Sequence, residues 1–169
     1  MFEKGEYIIY GQNGICEVED ITHLDLGDVD EKKLFYVLLP MGAKGSKIYS
    51  PVDNAKVVIR RIISREEAWN LLDEIETMEE LWIVNDKLRE KQYKEAMQSC
   101  DYREWIRIIK TLYLRKCERT AIGKKITTTD EKYLKMAENN LYGELALALD
   151  KDKSEMESFI IEYIEKQKK

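Results

Sequence analysis

In 169 residues there are one histidine, three cysteines and two prolines, and each shortage removes a class of function. A zinc site needs clustered thiolates or imidazoles. Cys16, Cys100 and Cys117 are far apart, share no CxxC spacing and have only His23 to help them. The expectation is free thiols in a reducing compartment, with no metal and no cofactor. His23 has no nucleophilic partner, and no Gly-x-Ser-x-Gly elbow occurs. Gly42-Ala43-Lys44-Gly45 lacks the Walker spacing and the Lys-Ser/Thr pair that should follow it. Glu17 and Glu19 share a strand face, an arrangement common on solvated sheets. Neither a catalytic residue nor a small-molecule substrate is expected. No window approaches the ~20 apolar residues of a membrane span. Met1-Phe2-Glu3-Lys4-Gly5-Glu6 has neither the basic region nor the apolar stretch of a signal peptide. The expected location is the cytoplasm, with no membrane partner. A net charge of −5 argues against a surface that coats nucleic acid everywhere, but permits a local basic face.

What the chain does have divides near Ser64. Before it, short β-rich runs are separated by turn residues: Tyr7–Tyr10, Ile15–Ile21, Leu34–Leu39, Lys47–Ser50 and Val57–Arg60. Gly5 and Gly14 stand where tight turns need positive φ. Asp25-Leu26-Gly27-Asp28-Val29-Asp30-Glu31 and Met41–Ser46 read as exposed hairpin loops. Pro40 and Pro51 close strand-like runs, where a missing N–H is tolerated. The pattern suggests a small, strongly bent barrel.

After Ser64 there is no proline, and the apolar period moves from two to three or four. Ser64-Arg65-Glu66-Glu67 has the form of a capping box, followed by the stripe Ala68, Leu71, Leu72 and Ile75. A second helix is predicted over Glu79–Gln98, ending at Ser99-Cys100-Asp101. Asp101 caps a third, expected to bury Trp105, Ile108, Ile109, Leu112 and Tyr113. A loop at Gly123-Lys124-Lys125 leads to a fourth, long helix that starts at Thr127 to Asp130. It carries Tyr133, Leu134, Ala137, Leu141, Leu145 and Leu149. A fifth runs from Ser154 to about Lys166. The fold class is α+β: a β domain over 1–62, then an all-helical bundle of about five helices over 63–169.

Phe2, Gly5, Tyr7, Tyr10, Gly14, Tyr36-Val37-Leu38 and Pro51-Val52-Asp53-Asn54 together resemble the amino-terminal domain of the CarD-like transcription regulators. That domain is shared with the polymerase-binding domain of the transcription-repair coupling factor. The second half extends the resemblance. Ser99-Cys100-Asp101 stands where the family usually has a Ser-Gly-Asp turn, and Leu141-Tyr142-Gly143-Glu144-Leu145-Ala146-Leu147-Ala148 looks like the signature of its long helix. The resemblance implies a Tudor-like five-stranded barrel that grips the β subunit of bacterial RNA polymerase, and a helical domain that meets promoter DNA.

Within that frame, Lys47-Ile48-Tyr49-Ser50 before Pro51 is the candidate edge strand for the polymerase, with Ile48 alternatively filling the barrel. The stretch Arg103–Lys125 holds eight basic residues against two acidic ones. Arg103, Arg107 and Lys110 lie at i, i+4 and i+7, one helix face suited to phosphates, and Lys87, Arg89 and Lys91 extend it. A family tryptophan that wedges into melted promoter DNA aligns with Asp86; Trp82, one turn earlier, is either a displaced wedge or a core residue. The expected function is a polymerase-bound regulator of open-complex stability. The alternative is an adaptor whose helical domain binds protein and never touches DNA. If Glu90, Glu95 and Glu104 interrupt the basic face, the adaptor gains.

Overall fold

The computed structural model describes residues 1–25, 27, 33–81, 83 and 85–168. Two compact units divide between Ile62 and Ile63. Among the described residues the architecture is α+β, an antiparallel five-stranded sheet followed by five α-helices.

The first unit contains β1 (Tyr7–Tyr10), β2 (Ile15–His23), β3 (Leu34–Pro40), β4 (Ile48–Pro51) and β5 (Ile59–Arg61), in the order β4-β3-β2-β1-β5. Among the described residues no ladder joins β4 to β5, so both are edges of an open sheet. Alternation sends Ile8, Tyr10, Cys16, Val18, Tyr36 and Leu38 to one core, against which Phe2, Ile48 and Val57 pack. Each fully buried aliphatic side chain here contributes roughly 1.5–3 kcal/mol. Gly5 and Gly14 take positive φ, +89° and +67°, as their turns require. The β2–β3 register shifts between Val18 and Asp20, which places Glu19 at a bulge. Most of the acidic loop expected at 25–31 lies outside the described residues.

The motif residues hold this unit together. The Tyr36 hydroxyl accepts from the Phe2 amide at 3.0 Å. The Asn54 side-chain amide donates to the buried Ser50 hydroxyl at 3.2 Å, and its carbonyl accepts from the Lys56 amide at 2.9 Å. Pro51-Val52-Asp53-Asn54 is therefore a turn that stops β4 and locks it to the core.

The second unit contains α1 (Arg65–Glu74), α2 (Arg89–Gln98), α3 (Tyr102–Ala121), α4 (Thr128–Leu149) and α5 (Met156–Gln167). The capping box forms as expected: Ser64 Oγ accepts from the Glu67 amide, and the Glu67 carboxylate accepts from the Ser64 amide. Ala68, Leu71, Leu72 and Ile75 are all buried, as are Tyr133, Leu134, Ala137, Leu141, Leu145 and Leu149. Trp69 completes an aromatic cluster between α1 and α5, 6.0 Å from Phe159 and 5.7 Å from Tyr163. Two carboxylates are buried on α4. Glu144 accepts from the Ile63 amide at 2.8 Å, and Asp130 accepts from Arg115 Nε at 2.6 Å.

Two local expectations need correction, and one residue carries strain. α2 begins at Arg89, ten residues later than predicted, because Asn85 caps a short 3₁₀ turn and residues 76–81 lie along α3. Leu81 donates its amide to the Thr111 hydroxyl there, at 2.9 Å. Tyr113, expected in the core, is 61% exposed. Cys100 occupies the left-handed region at φ +56°, where the resembled family uses glycine, and it is buried despite the strain.

Candidate functional site

Each unit presents one surface with binding chemistry. In the first, β4 pairs with β3 through Tyr49 opposite Val37 and Ser50 opposite Tyr36, which leaves its other side open. An edge strand offers a row of backbone donors and acceptors, ready to take a partner's strand. Ile48 packs inward and Ser50 is buried, so Tyr49, 52% exposed, is the large side chain the edge presents to solvent. Pro51 ends the strand without an amide to donate. Lys47 forms an ion pair with Glu19 at 2.8 Å, a hydrogen bond that raises the lysine pKa. This pair fixes a charge beside the edge without blocking Tyr49.

In the second unit, Arg103, Arg107 and Lys110 do share one face of α3, as their spacing requires. That face is already occupied. Arg103 is paired with Glu74, and Arg107 donates to Glu104 at 2.9 Å and to the Glu79 and Glu80 carbonyls, each at 3.3 Å. The Lys110 ammonium donates to the carbonyls of Met78 at 2.6 Å and Glu76 at 3.0 Å. Desolvation lowers the Lys110 pKa, with Glu80 and Glu76 acting in the opposite sense. The three cations thus fasten the end of α1 and the strap that follows it, residues 75–80, along α3. Sequence spacing places side chains on a face; it does not reveal a strap lying across that face.

The remaining expected cations differ among themselves. Arg89 is half-buried, bonded to the Tyr93 hydroxyl at 2.8 Å and to Asp86 at 3.1 Å. Lys91 is exposed and only loosely paired with Glu95, at 4.0 Å. Lys87 is exposed beside Asp86. Trp82 lies outside the described residues.

An extended charge chain joins these residues to cations that counted toward the basic excess of 103–125 but were not singled out as DNA contacts. Asp86 lies 3.8 Å from Arg115, which binds the buried Asp130, and Arg119, one turn further along α3, donates to the Lys125 carbonyl at 2.8 Å. The α3–α4 turn with its exposed Lys124 and Lys125 is thereby fixed to the same side of α3 as the start of α2. The signal for it in sequence was only the charge excess of 103–125, which does not say which cations remain open.

Among the described residues no cluster of His, Cys, Asp or Glu has the form of a metal site, and no helix is long and apolar enough to cross a membrane. Comparison with family models gives two matches in sequence order. The CarD-like/TRCF RID domain matches residues 2–63, and the CarD C-terminal domain matches residues 67–161. No curated protein matches the chain.

Proposed function

The chain belongs to the CarD-like family of RNA polymerase-interacting transcription regulators, and on that premise we propose how its two units divide the work. The sheet unit docks on the polymerase β subunit through the β4 edge, with Tyr49 as its outward anchor and Lys47 beside it. The helical unit lays Lys87, Arg89 and Lys91, together with Lys124 and Lys125, on promoter DNA near the melting start site. The protein works in the cytoplasm, beside the polymerase, and performs no catalysis of its own.

The observation that carries this reading is the open β4 edge with an exposed tyrosine, inside the segment that matches the polymerase-interacting domain. Edge pairing supplies backbone hydrogen bonds and the aromatic side chain supplies selectivity. Tethering explains how an acidic protein acts on DNA, because a weak DNA module gains effective concentration once its partner unit is bound. Contacts available only to opened DNA then shift the closed–open equilibrium toward the open complex. The direct test is capture of purified polymerase β fragments by the full chain, wild type against the folded Tyr49→Ala/Lys47→Glu variant. Equal capture by both would place the interface elsewhere.

The internal bonding of Arg103, Arg107 and Lys110 favours a second reading, in which the helical unit is an adaptor for protein. Two of the three glutamates that would favour it lie beside basic residues, Glu104 at 2.9 Å from Arg107 and Glu95 at 4.0 Å from Lys91. Salt dependence separates the two readings. For DNA contacts the logarithm of affinity falls linearly with log salt, with a slope of about 0.9 per phosphate contacted, and an adaptor has no such slope with DNA.

A further inference from the structure

The strap that covers the basic face also creates a groove of opposite chemistry. Between the strap and α3 lies an open depression of about 480 Å³, lined by Glu76, Met78, Glu79, Glu80, Tyr113 and Leu114 together with the Lys110 stem. Its floor is apolar: Met78 is half-buried, Leu114 is 44% exposed and Tyr113 is exposed further. Along the helix the same surface continues through the exposed Cys117 and Ala121, four and eight residues after Tyr113. Tyr113 and Leu114, adjacent and both exposed, offer apolar area that a partner can remove from water.

The rim is acidic. Glu79 and Glu80 are exposed, and their ion pairs are absent among the described residues; it is their backbone carbonyls that hold Arg107. Glu76 is shared with Lys168, 3.1 Å away. Among the lining residues the cation is Lys110, whose ammonium donates to the Glu76 and Met78 carbonyls. What the groove presents outward is therefore negative charge around an apolar floor, a surface that repels a phosphate backbone and attracts a cationic, partly apolar chain.

We propose that this groove docks a protein segment that carries basic residues beside apolar anchors, such as an amphipathic basic helix laid along α3. Its apolar side chains seat on Met78, Tyr113 and Leu114, and its lysines or arginines meet Glu79 and Glu80. The site is separate from the proposed DNA surface. Arg115 and Arg119 project from a different side of α3 than Tyr113 and Leu114, so the helical unit has room for two partners of opposite charge.

The test uses the full isotopically labelled chain and two synthetic helical peptides, one of leucine and lysine, the other with every lysine replaced by glutamate. The expected result is that the leucine–lysine peptide shifts the resonances of Met78, Tyr113 and Leu114, and that the glutamate peptide binds at least tenfold more weakly. Glu79→Lys/Glu80→Lys should weaken the lysine peptide about tenfold or more, whereas Glu131→Lys/Glu162→Lys, the same charge change elsewhere, should weaken it less than threefold. Leu114→Ser serves as a second probe, because a surface leucine leaves without opening a core cavity, and it too should weaken binding. Equal loss in both charge variants would mean attraction to net charge alone and overturn the proposal. So would perturbation of Met78, Tyr113 and Leu114 by a DNA duplex, which would make the groove part of the DNA surface.

Discussion

Lys110 is the residue at which two roles make opposite demands. Its ammonium donates to two carbonyls of the strap, at 2.6 and 3.0 Å, and its stem lines the groove. Lys110→Met keeps most of the stem and removes both bonds. Hydrogen bonds to a charged group contribute about 1.5–3 kcal/mol each when well shielded. The site is half-exposed and water can replace the lost donor, so the expected cost is about 1–2 kcal/mol in total. For a unit of this size that is a fall in melting temperature of roughly 5–10 °C. Far-UV circular dichroism under urea and heat reads the helical unit directly. If Lys110 instead serves as a phosphate contact, stability stays within about 0.3 kcal/mol of wild type and the salt slope of DNA binding falls by about 0.9. That second outcome would refute the strap assignment.

Other consequences follow from the same structure. Asp130→Ala removes a 1% exposed carboxylate from Arg115 and should cost about 2–3 kcal/mol by urea unfolding, less than a fully buried pair because Arg115 keeps some water. Asp150 ends α4 at φ +53°, with its charge at the negative pole of the helix. Asp150→Gly should therefore stabilise by about 0.5–1 kcal/mol, read as a higher urea midpoint with an unchanged slope. Burial pushes the Cys16 thiol up to about 11 from an ordinary value near 9. An acid that stays protonated in the fold contributes fully below the lower value and loses that contribution as pH rises through the window. The sheet unit of wild type should thus lose about 1–2 kcal/mol more than Cys16→Ala between about pH 8 and about pH 10.5. Tyr49→Ala/Lys47→Glu should bind the polymerase β fragment at least about tenfold more weakly by calorimetry while its near-UV spectrum stays native.

Where the sequence was readable, the controlling interactions were local. The capping box at Ser64 and the cap at Asp101 involve neighbours three residues apart or fewer, and both form. The α4 stripe was legible because one helix face meets one core. The start of α2 was not, because what holds the preceding strap is tertiary: Thr111 holds Leu81, and Lys110 holds Met78, 30 and 32 positions away. The same distance hid the fate of Arg103, Arg107 and Lys110. Their shared face followed from a period of 3.6, whereas the backbone carbonyls that bind them have no signature in side-chain order. Cys100 shows the reverse case. The turn was recognisable from Ser99 and Asp101 although its central residue departs from glycine, because Ser99 Oγ still bonds the Ala96 carbonyl at 2.6 Å and Asp101 still caps α3.

The lifetime of promoter open complexes formed by the cognate polymerase, followed after addition of a competitor, tests the tether through the β4 edge most directly. Wild-type chain should lengthen that lifetime, and the folded Tyr49→Ala/Lys47→Glu variant at the same concentration should leave it close to that of polymerase alone. A lifetime that the wild-type chain does not change, or that both chains change equally, would contradict a regulator tethered through the β4 edge.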